Sequence, residues 1–160
     1  MVKTKEEILE ILEQVKDPEI PVLSIIDLGV VREVDPVNLE ITITPTYSGC
    51  PAMQVIEDDI IAALKNEGLG VATVKTTLSP AWTTDWITAD ARRRLEEYGI
   101  APPVEGSPDK GALFEETKNV RCPQCKSLNT SMISQFGSTA CKALYKCNDC
   151  LEPFDYFKCL

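Results

Sequence analysis

The stretch that decides the fold is LEITITPTYSGCP, residues 39–51. Its first half alternates strictly between apolar and polar residues, which predicts a β-strand with one buried face. Its second half turns at Ser48-Gly49 and reaches Cys50 and Pro51, and proline is favoured at the first position of a helix. Apolar residues then recur at helical spacing as far as about Glu67, namely Met53, Ile56, Ile60 and Leu64. We therefore expect a strand, a loop and a helix, with Cys50 as the N-cap of that helix.

The flanking segments extend this unit into an α+β domain. Thr4 and Glu7 form a capping box, which predicts a first helix that ends before the Asp17-Pro18 dipeptide. The further predicted elements are strands at residues 28–34 and 71–78, the first in a hairpin with residues 39–44, and a last helix from its cap Thr88 to Gly99. The predicted order is α-β-β-α-β-α, followed by a β-rich ribbon.

Composition divides the chain into three parts. Residues 102–118 are rich in proline and glycine without periodicity, which predicts a linker. We therefore predict an assembly-like domain at 1–101, a linker at 102–118 and a cysteine ribbon at 119–160. A module of about forty residues is too small to fold without a metal or a crosslink.

Four cysteines in the ribbon have the spacing of a metal site. Cys122 and Cys125 form one Cys-x-x-Cys motif, and Cys147 and Cys150 form a second. Two such turns supply four soft thiolates to one tetrahedral ion, and structural zinc is the metal that this pattern favours. The same ligands would also suit a rubredoxin-like iron centre.

Three details of the ribbon leave alternatives open. Lys126 and Leu151 follow the two motifs at positions where glycine is common, so the backbone geometry of the turns needs testing. Cys141 lies outside the tetrad and is expected to be a small strand residue. The second interpretation makes it an alternative ligand or a second transient cluster thiol. Cys159 is expected to be an exposed terminal thiol.

Charge and composition narrow the classes of function. Residues 1–101 hold 9 Lys and Arg against 18 Asp and Glu, whereas residues 102–160 hold 7 against 7. An acidic field repels phosphate backbones, so we expect no nucleic-acid partner. Histidine is absent, which excludes Cys–His and Ser–His–Asp mechanisms within this chain and favours a protein that is not an enzyme. Seven cysteines without a signal peptide or an apolar span indicate a cytoplasmic protein with no membrane partner.

Outside the ribbon, the main candidate for a functional residue is Cys50. At a helix N-terminus, the helix dipole and free N–H groups are expected to lower the pKa of its thiol. A single cysteine cannot hold a cluster, so such a role needs thiolates from a partner or a second copy. Asp17 and Glu19 are expected to shape a turn. The position of Asp27 before a strand does not distinguish a structural role from a functional one. Trp82 and Trp86 are expected to be core or interface residues.

Three segments resemble one known family. DPEIP at residues 17–21, DLGVV at 27–31 and TPTYSGCP at 44–51 are similar to the signature of the metal–sulfur cluster assembly family, over about residues 5–100. The tryptophan stretch at 78–87 and the ribbon stretch at 136–145 are further similar to the family of phenylacetate-degradation accessory proteins.

The resemblance implies an assembly-factor fold and an accessory role in maturing the iron centres of the multicomponent ring-1,2-phenylacetyl-CoA epoxidase. It implies that Cys50 is the cluster-associated cysteine and that Asp17, Glu19 and Asp27 match acidic positions of the motif. A transient iron–sulfur cluster, epoxidase components or iron–sulfur assembly proteins as partners, and a homodimer are the corresponding expectations. Two alternatives remain: a scaffold component of the epoxidase that handles no cluster, and a rubredoxin-like electron carrier.

Overall fold

The structure is a computed structural model that describes residues 3–104 and 119–158. Within these residues it has three α-helices and two β-sheets, which confirms the predicted α+β class. The chain divides into two compact units, Met1–Thr88 and Ala89–Leu160. Among the described helices, none is long and apolar enough to cross a membrane.

The first unit follows the predicted order of elements. Its elements are α1 (Lys5–Leu12), β1 (Val31–Asp35), β2 (Glu40–Ile43), α2 (Ala52–Asn66), β3 (Thr73–Thr76) and a 3₁₀ turn at Thr84–Trp86. The capping box of α1 is present, since the Glu7 N–H donates to Thr4 Oγ1 at 3.3 Å and the Thr4 N–H donates to Glu7 Oε2 at 2.7 Å. Both helix and hairpin were predictable because their signals are local.

The sheet of the first unit has the order β1-β2-β3. β1 and β2 form the predicted antiparallel hairpin, with a bulge at its start. β2 and β3 are parallel, with α2 as the crossover between them. β3 is shorter than the predicted strand at 71–78 because its ladder matches only the four residues of β2, and Val71 is 93% exposed. The loop at 44–51 therefore begins where β2 ends and leads to the N-terminus of α2.

The core of the first unit lies between the two helices and the sheet. The fully or almost fully buried aliphatic residues come from α1, the segment before β1, β2 and α2: Ile8, Leu12, Leu23, Ile25, Leu28, Ile41, Ile43, Ile56, Ile60 and Leu64. The buried residues of α2 lie about one helical turn apart, so they form one stripe along the helix. This packing fixes the N-terminus of α2, where Cys50 is located.

The second unit contains α3 (Ala89–Tyr98) and four strands: β4 (Ile100–Ala101), β5 (Thr130–Ser134), β6 (Lys142–Cys147) and β7 (Pro153–Phe157). The strand order is β4-β7-β6-β5, and β4 is parallel to β7. Its core combines two cysteines with aromatic and small residues: Ala101, Val120, Cys122, Ala143, Tyr145, Cys147, Phe154 and Tyr156.

The division between the units differs from the domain boundary expected at residue 101. α3 and β4 lie with the ribbon because β4 joins the ribbon sheet through β7 and because Arg121 donates to Glu96 of α3 at 3.0 Å. The expected linker at 102–118 lies mostly outside the described residues, which omit 105–118.

Candidate functional site

The four predicted cysteine ligands converge in the second unit. The sulfur atoms of Cys122, Cys125, Cys147 and Cys150 all lie within 4.8 Å of one another. Cys122 and Cys150 are 3.7 Å apart, and Cys125 and Cys147 are 3.5 Å apart. Zinc–sulfur bonds of about 2.3 Å in a tetrahedron require sulfur–sulfur distances of about 3.8 Å. The tetrad therefore fits one tetrahedral metal ion.

The two Cys-x-x-Cys turns repeat the same backbone pattern, and we call each turn a knuckle. In the first knuckle, residues 122–127, the Cys122 N–H donates to the Ser127 carbonyl at 2.9 Å. In the second, residues 147–152, the Cys147 N–H donates to the Glu152 carbonyl, also at 2.9 Å. Both bonds join the first and last residues of their turns. Each knuckle thus closes on itself and directs its two sulfurs toward the same point.

Lys126 and Leu151 adopt the backbone conformation that the knuckles require. Their φ angles are 65° and 66°, in the left-handed region where glycine is favoured. The absence of glycine therefore does not prevent knuckle formation. The strain of a side chain in this region is tolerated because the closing hydrogen bond of each knuckle holds its turn in place.

Backbone N–H groups near Cys147 and Cys150 favour the thiolate forms of these two residues. Hydrogen bonds from the N–H groups of Cys150 and Asp149 lower the pKa of the Cys147 thiol to about 7. The Glu152 N–H favours the Cys150 thiolate, but desolvation and hydrogen bonds among the sulfurs raise the pKa of Cys150 to about 12. The Cys147 and Cys150 thiols therefore do not ionise together, and a metal ion must displace protons when it binds.

A polar network outside the sulfurs joins the two knuckles. Asp149 of the second knuckle accepts hydrogen bonds from the Ser127 hydroxyl and from Asn129 Nδ2, the latter at 2.8 Å. The Asn148 N–H donates to the Asn129 carbonyl at 2.8 Å, and Asn148 Nδ2 donates to Ser131 Oγ at 2.8 Å. Such outer contacts orient metal ligands. These residues were not predicted from the sequence, although their closeness to the ligands in the chain was an available signal.

The remaining cysteines differ in position. Cys141 is buried and does not belong to the described cluster of metal-ligand atoms, and its sulfur lies 3.1 Å from Thr139 Oγ1. It was expected to be a strand residue of the ribbon, but it lies in the turn that immediately precedes β6. Cys159 lies outside the described residues.

Cys50 lies at the N-terminus of α2, as the sequence indicated, although the helix begins at Ala52 with Pro51 as its cap. The Cys50 carbonyl accepts from the Met53 N–H at 3.2 Å. Its thiol accepts hydrogen bonds from the Ala52 N–H and the Tyr47 hydroxyl. Tyr47 was not singled out from the sequence; its position shortly before Cys50 in the same loop was the available signal.

The expected lowering of the Cys50 pKa is wrong. Burial raises the pKa of this thiol, and the nearby charges of Glu19 and Asp17 raise it further. The hydrogen bonds from Ala52 and Tyr47 act in the opposite direction but are outweighed. A helix N-terminus lowers a thiol pKa only when desolvation and negative charge are small. Cys50 is therefore a protonated thiol at neutral pH.

Two of the three predicted acidic residues act electrostatically on Cys50. Asp17 is buried, and its Oδ1 accepts from the N–H groups of Glu19 and Ile20, both at 2.8 Å. This fixes residues 17–20, which we call the acidic turn. The turn role expected for Asp17 is present, and the same fold brings the charges of Asp17 and Glu19 within range of the thiol.

Asp27 belongs to a neighbouring turn. Its Oδ2 accepts from the Ser24 N–H at 2.9 Å, and its own N–H donates to Ser24 Oγ at 3.0 Å. This reciprocal pair has the form of a capping box. The carboxyl group of Asp27 thus stabilises the backbone that joins the acidic turn to β1.

Comparison with known proteins matches both parts of the chain. Residues 5–76 match the model of the iron–sulfur cluster assembly protein family, and residues 106–158 match the model of the PaaD zinc β-ribbon domain. A crystal structure of a domain of unknown function, DUF59, from Bacillus anthracis is 28% identical, with a TM-score of 0.52, and covers 57% of this chain and 90% of that chain.

Curated relatives are of two kinds. An Escherichia coli (strain K12) protein, provisionally assigned as a component of 1,2-phenylacetyl-CoA epoxidase, is 54% identical over 96% of this chain and 92% of its own. The Bacillus subtilis (strain 168) Fe-S protein maturation auxiliary factor YitW is 37% identical over 57% of this chain and 92% of its own. The first relative spans both units, whereas the second spans little more than half of the chain. The chain therefore belongs to the PaaD family, which includes the Escherichia coli epoxidase component and joins an iron–sulfur assembly domain to a zinc β-ribbon.

Proposed function

We propose that the protein is a non-catalytic accessory factor that delivers iron, or an iron–sulfur cluster, to the iron centres of a multicomponent 1,2-phenylacetyl-CoA epoxidase. The proposal is supported by the epoxidase name of the Escherichia coli relative and by the maturation-factor names of the shorter relatives. Its partners are then epoxidase components or iron–sulfur assembly proteins. Its place of action is the cytoplasm, where thiols stay reduced.

The observation that carries this proposal is that the charges of Asp17 and Glu19 lie within electrostatic range of the Cys50 thiol. A thiolate and carboxylates together suit iron, which accepts both sulfur and oxygen ligands. The Cys50 site of one chain supplies a single thiolate, which is too few for a cluster. The cargo is therefore held jointly with thiolates of the client or of a second copy, and it leaves when the client completes its own ligand set.

The raised pKa of Cys50 is consistent with a transient ligand. A protonated thiol is a weak nucleophile and resists oxidation, because the thiolate is the reactive form. Iron binding displaces the thiol proton and forms the metal–sulfur bond in the same exchange. The nearby carboxylates then favour a bound cation, although they disfavour the free thiolate. The site thus binds iron without exposing a reactive sulfur between deliveries.

We assign the ribbon tetrad to structural zinc, held by Cys122, Cys125, Cys147 and Cys150. Zinc contributes folding free energy when it binds four thiolates, and it has no redox chemistry. The ribbon in this proposal is a docking module. Its metal does not participate in the delivery of the cargo.

The test replaces Cys50 with serine in a strain that also produces the other epoxidase components. Cys50→Ser should leave the fold and the zinc content unchanged but yield an iron-poor epoxidase with low activity. Iron and acid-labile sulfide in the purified epoxidase are the measured quantities. Cys141→Ser is the matched control, because it removes a buried thiol outside both sites. Full iron content and activity with Cys50→Ser would falsify the proposal.

A scaffold without cargo is the second candidate, and exposed apolar residues on the ribbon favour it. Met132, Ile133 and Phe136 are 48%, 56% and 52% exposed, on and just after β5, which lies at the edge of its sheet. Apolar residues at a sheet edge are common in docking surfaces. If Met132→Ser with Ile133→Ser, or removal of the ribbon from residue 119, abolishes association while Cys50→Ser has no effect on activity, the protein is a scaffold.

A further inference from the structure

The tryptophan segment, residues 82–88, contacts one short loop of the first unit at three successive residues. Trp82 Nε1 donates to the Leu28 carbonyl at 2.8 Å in a buried hydrogen bond. The Thr88 N–H donates to the carbonyl of Asp27, the residue before Leu28, at 3.2 Å. Trp86 packs against Gly29 so closely that an added Cβ would lie 2.6 Å from Trp86 Cβ. The segment thus holds the backbone of residues 27–29 from one side.

Arg32 holds the ring of Trp86. The guanidinium carbon of Arg32 lies 3.5 Å from the centre of the Trp86 ring, a stacked cation–π contact. Arg32 is exposed and occupies the bulge at the start of β1. Trp86 is therefore fixed by both Gly29 and Arg32, and the position of the whole tryptophan segment depends on both contacts.

The contacted loop, residues 24–30, connects to both halves of the Cys50 site, and we call it the hub loop. At its start, Ser24 pairs with Lys16 in an antiparallel bridge, and the Asp17 N–H donates to the Leu23 carbonyl at 3.0 Å. These contacts hold the acidic turn. At its end, the Val30 carbonyl accepts from the Thr44 N–H at 2.8 Å. Thr44 begins the loop that carries Tyr47 and Cys50.

We propose that Trp82 and Trp86 are positioning residues, which hold the hub loop and thereby set the separation between the Cys50 thiol and the carboxylates of Asp17 and Glu19. This inference rests on the proposed function, because the Cys50 thiol that is positioned is the one proposed to bind iron. The matched iron–sulfur assembly region ends at residue 76, so these positioning residues lie beyond it. They couple a later segment of the chain to the family motif.

The test uses three mild variants of the full-length, zinc-loaded protein. Trp82→Phe removes the hydrogen bond to Leu28 and keeps most of the ring. Arg32→Ala removes the stacked cation from an exposed position, and Arg32→Lys restores a cation there. Ile60→Val is the matched control, because it trims a buried residue of α2 that belongs neither to the hub loop nor to the tryptophan segment.

Two local measurements report on the site without requiring iron transfer. One is the rate of Cys50 alkylation at neutral pH, resolved by mass spectrometry of the peptide that contains Cys50. The other is amide hydrogen exchange of residues 17–30. Loss of one hydrogen bond worth about 1 kcal/mol raises a local opening equilibrium about fivefold, at about 1.4 kcal/mol per factor of ten. We expect an increase of about that size in both quantities for Trp82→Phe and Arg32→Ala, and recovery in Arg32→Lys.

Unchanged alkylation and exchange in Trp82→Phe and Arg32→Ala would overturn the inference. An equal increase in Ile60→Val would also overturn it, because the effect would then reflect global stability. These outcomes are distinct from a failure of the proposed function. Full epoxidase iron with Cys50→Ser removes the delivery role but leaves the alkylation result unaffected.

Discussion

Arg121, next to the first knuckle, donates to Glu96 of α3 at 3.0 Å, and Lys126 lies 3.2 Å from the same carboxylate. Glu96 is the least exposed member of this ion triad, with 16% of its side chain accessible. The two cations flank Cys122 and Cys125. The contact explains why α3 lies with the ribbon, and it means that a helix encoded before the cysteine motifs supports the metal site.

The first prediction concerns Glu96. Glu96→Gln removes the charge that pairs with Arg121 and Lys126, and partly exposed ion pairs contribute up to about 1 kcal/mol. We expect zinc-loaded protein to lose about 0.5–1 kcal/mol of stability, with the loss reduced in high salt. Thermal unfolding at two salt concentrations measures it. Glu97→Gln is the control, since its partner Arg93 lies on the same exposed helix face, and it should change stability less.

The second prediction concerns the metal. We expect one zinc ion per chain and no loss of zinc in Cys141→Ser. Cys147→Ser should lower the zinc content and increase hydrogen exchange across β6 and β7, because the second unit loses the folding free energy that the metal supplies. Elemental analysis and exchange mass spectrometry measure both. A coloured protein with one iron and no sulfide would instead indicate a rubredoxin-like electron carrier.

The third prediction compares two glycines with similar backbone angles. Gly29 and Gly68 have φ angles of 70° and 75°. A Cβ at Gly29 would meet the Trp86 carbonyl oxygen at 2.7 Å, whereas a Cβ at Gly68 would meet nothing within 4 Å. Gly68→Ala should therefore cost only the left-handed penalty, about 1–2 kcal/mol. Gly29→Ala should cost more, by about another 1–3 kcal/mol of overpacking. Equal losses in chemical denaturation would contradict the close packing.

The fourth prediction concerns pH. Because burial, Glu19 and Asp17 raise the pKa of Cys50, its alkylation should titrate at a higher pH than that of an unfolded peptide. The corresponding stability is fully present below the unfolded thiol pKa and is lost as the pH rises through the folded pKa. Glu19→Gln should shift the alkylation profile to lower pH. A pH series of site-resolved alkylation measures this, and an unchanged profile would show that Glu19 does not act on the thiol.

Local sequence signals predicted most of the elements, and long-range contacts explain the differences. The capping box at Thr4 and the alternation at residues 39–44 predicted α1 and the hairpin, because those patterns depend on neighbouring residues. β4 has only two residues, so it has no periodicity to detect. Its pairing with β7 links residues that are far apart in the chain, and this is why the division after Thr88 was not predictable.

In the candidate site, too, local sequence signals predicted some features and long-range contacts determined others. Cysteine spacing predicted the tetrad, because two short turns determine where four sulfurs can meet. The pKa of Cys50 depends instead on how deeply the thiol is buried and on the charges of Asp17 and Glu19, which are distant in the sequence. A local rule about helix N-termini could not weigh those contributions, so it gave the wrong direction.

The knuckles also determine how the metal can be exchanged. Each knuckle contributes one buried sulfur, Cys122 or Cys147, and one exposed sulfur, Cys125 or Cys150. A competing thiol from solvent therefore meets one accessible ligand of each knuckle. After both are displaced, Cys122 and Cys147 would be the two ligands still holding a bound ion. Exchange of a bound ion would thus begin at the outer face, and the two buried cysteines would be the last ligands to release it.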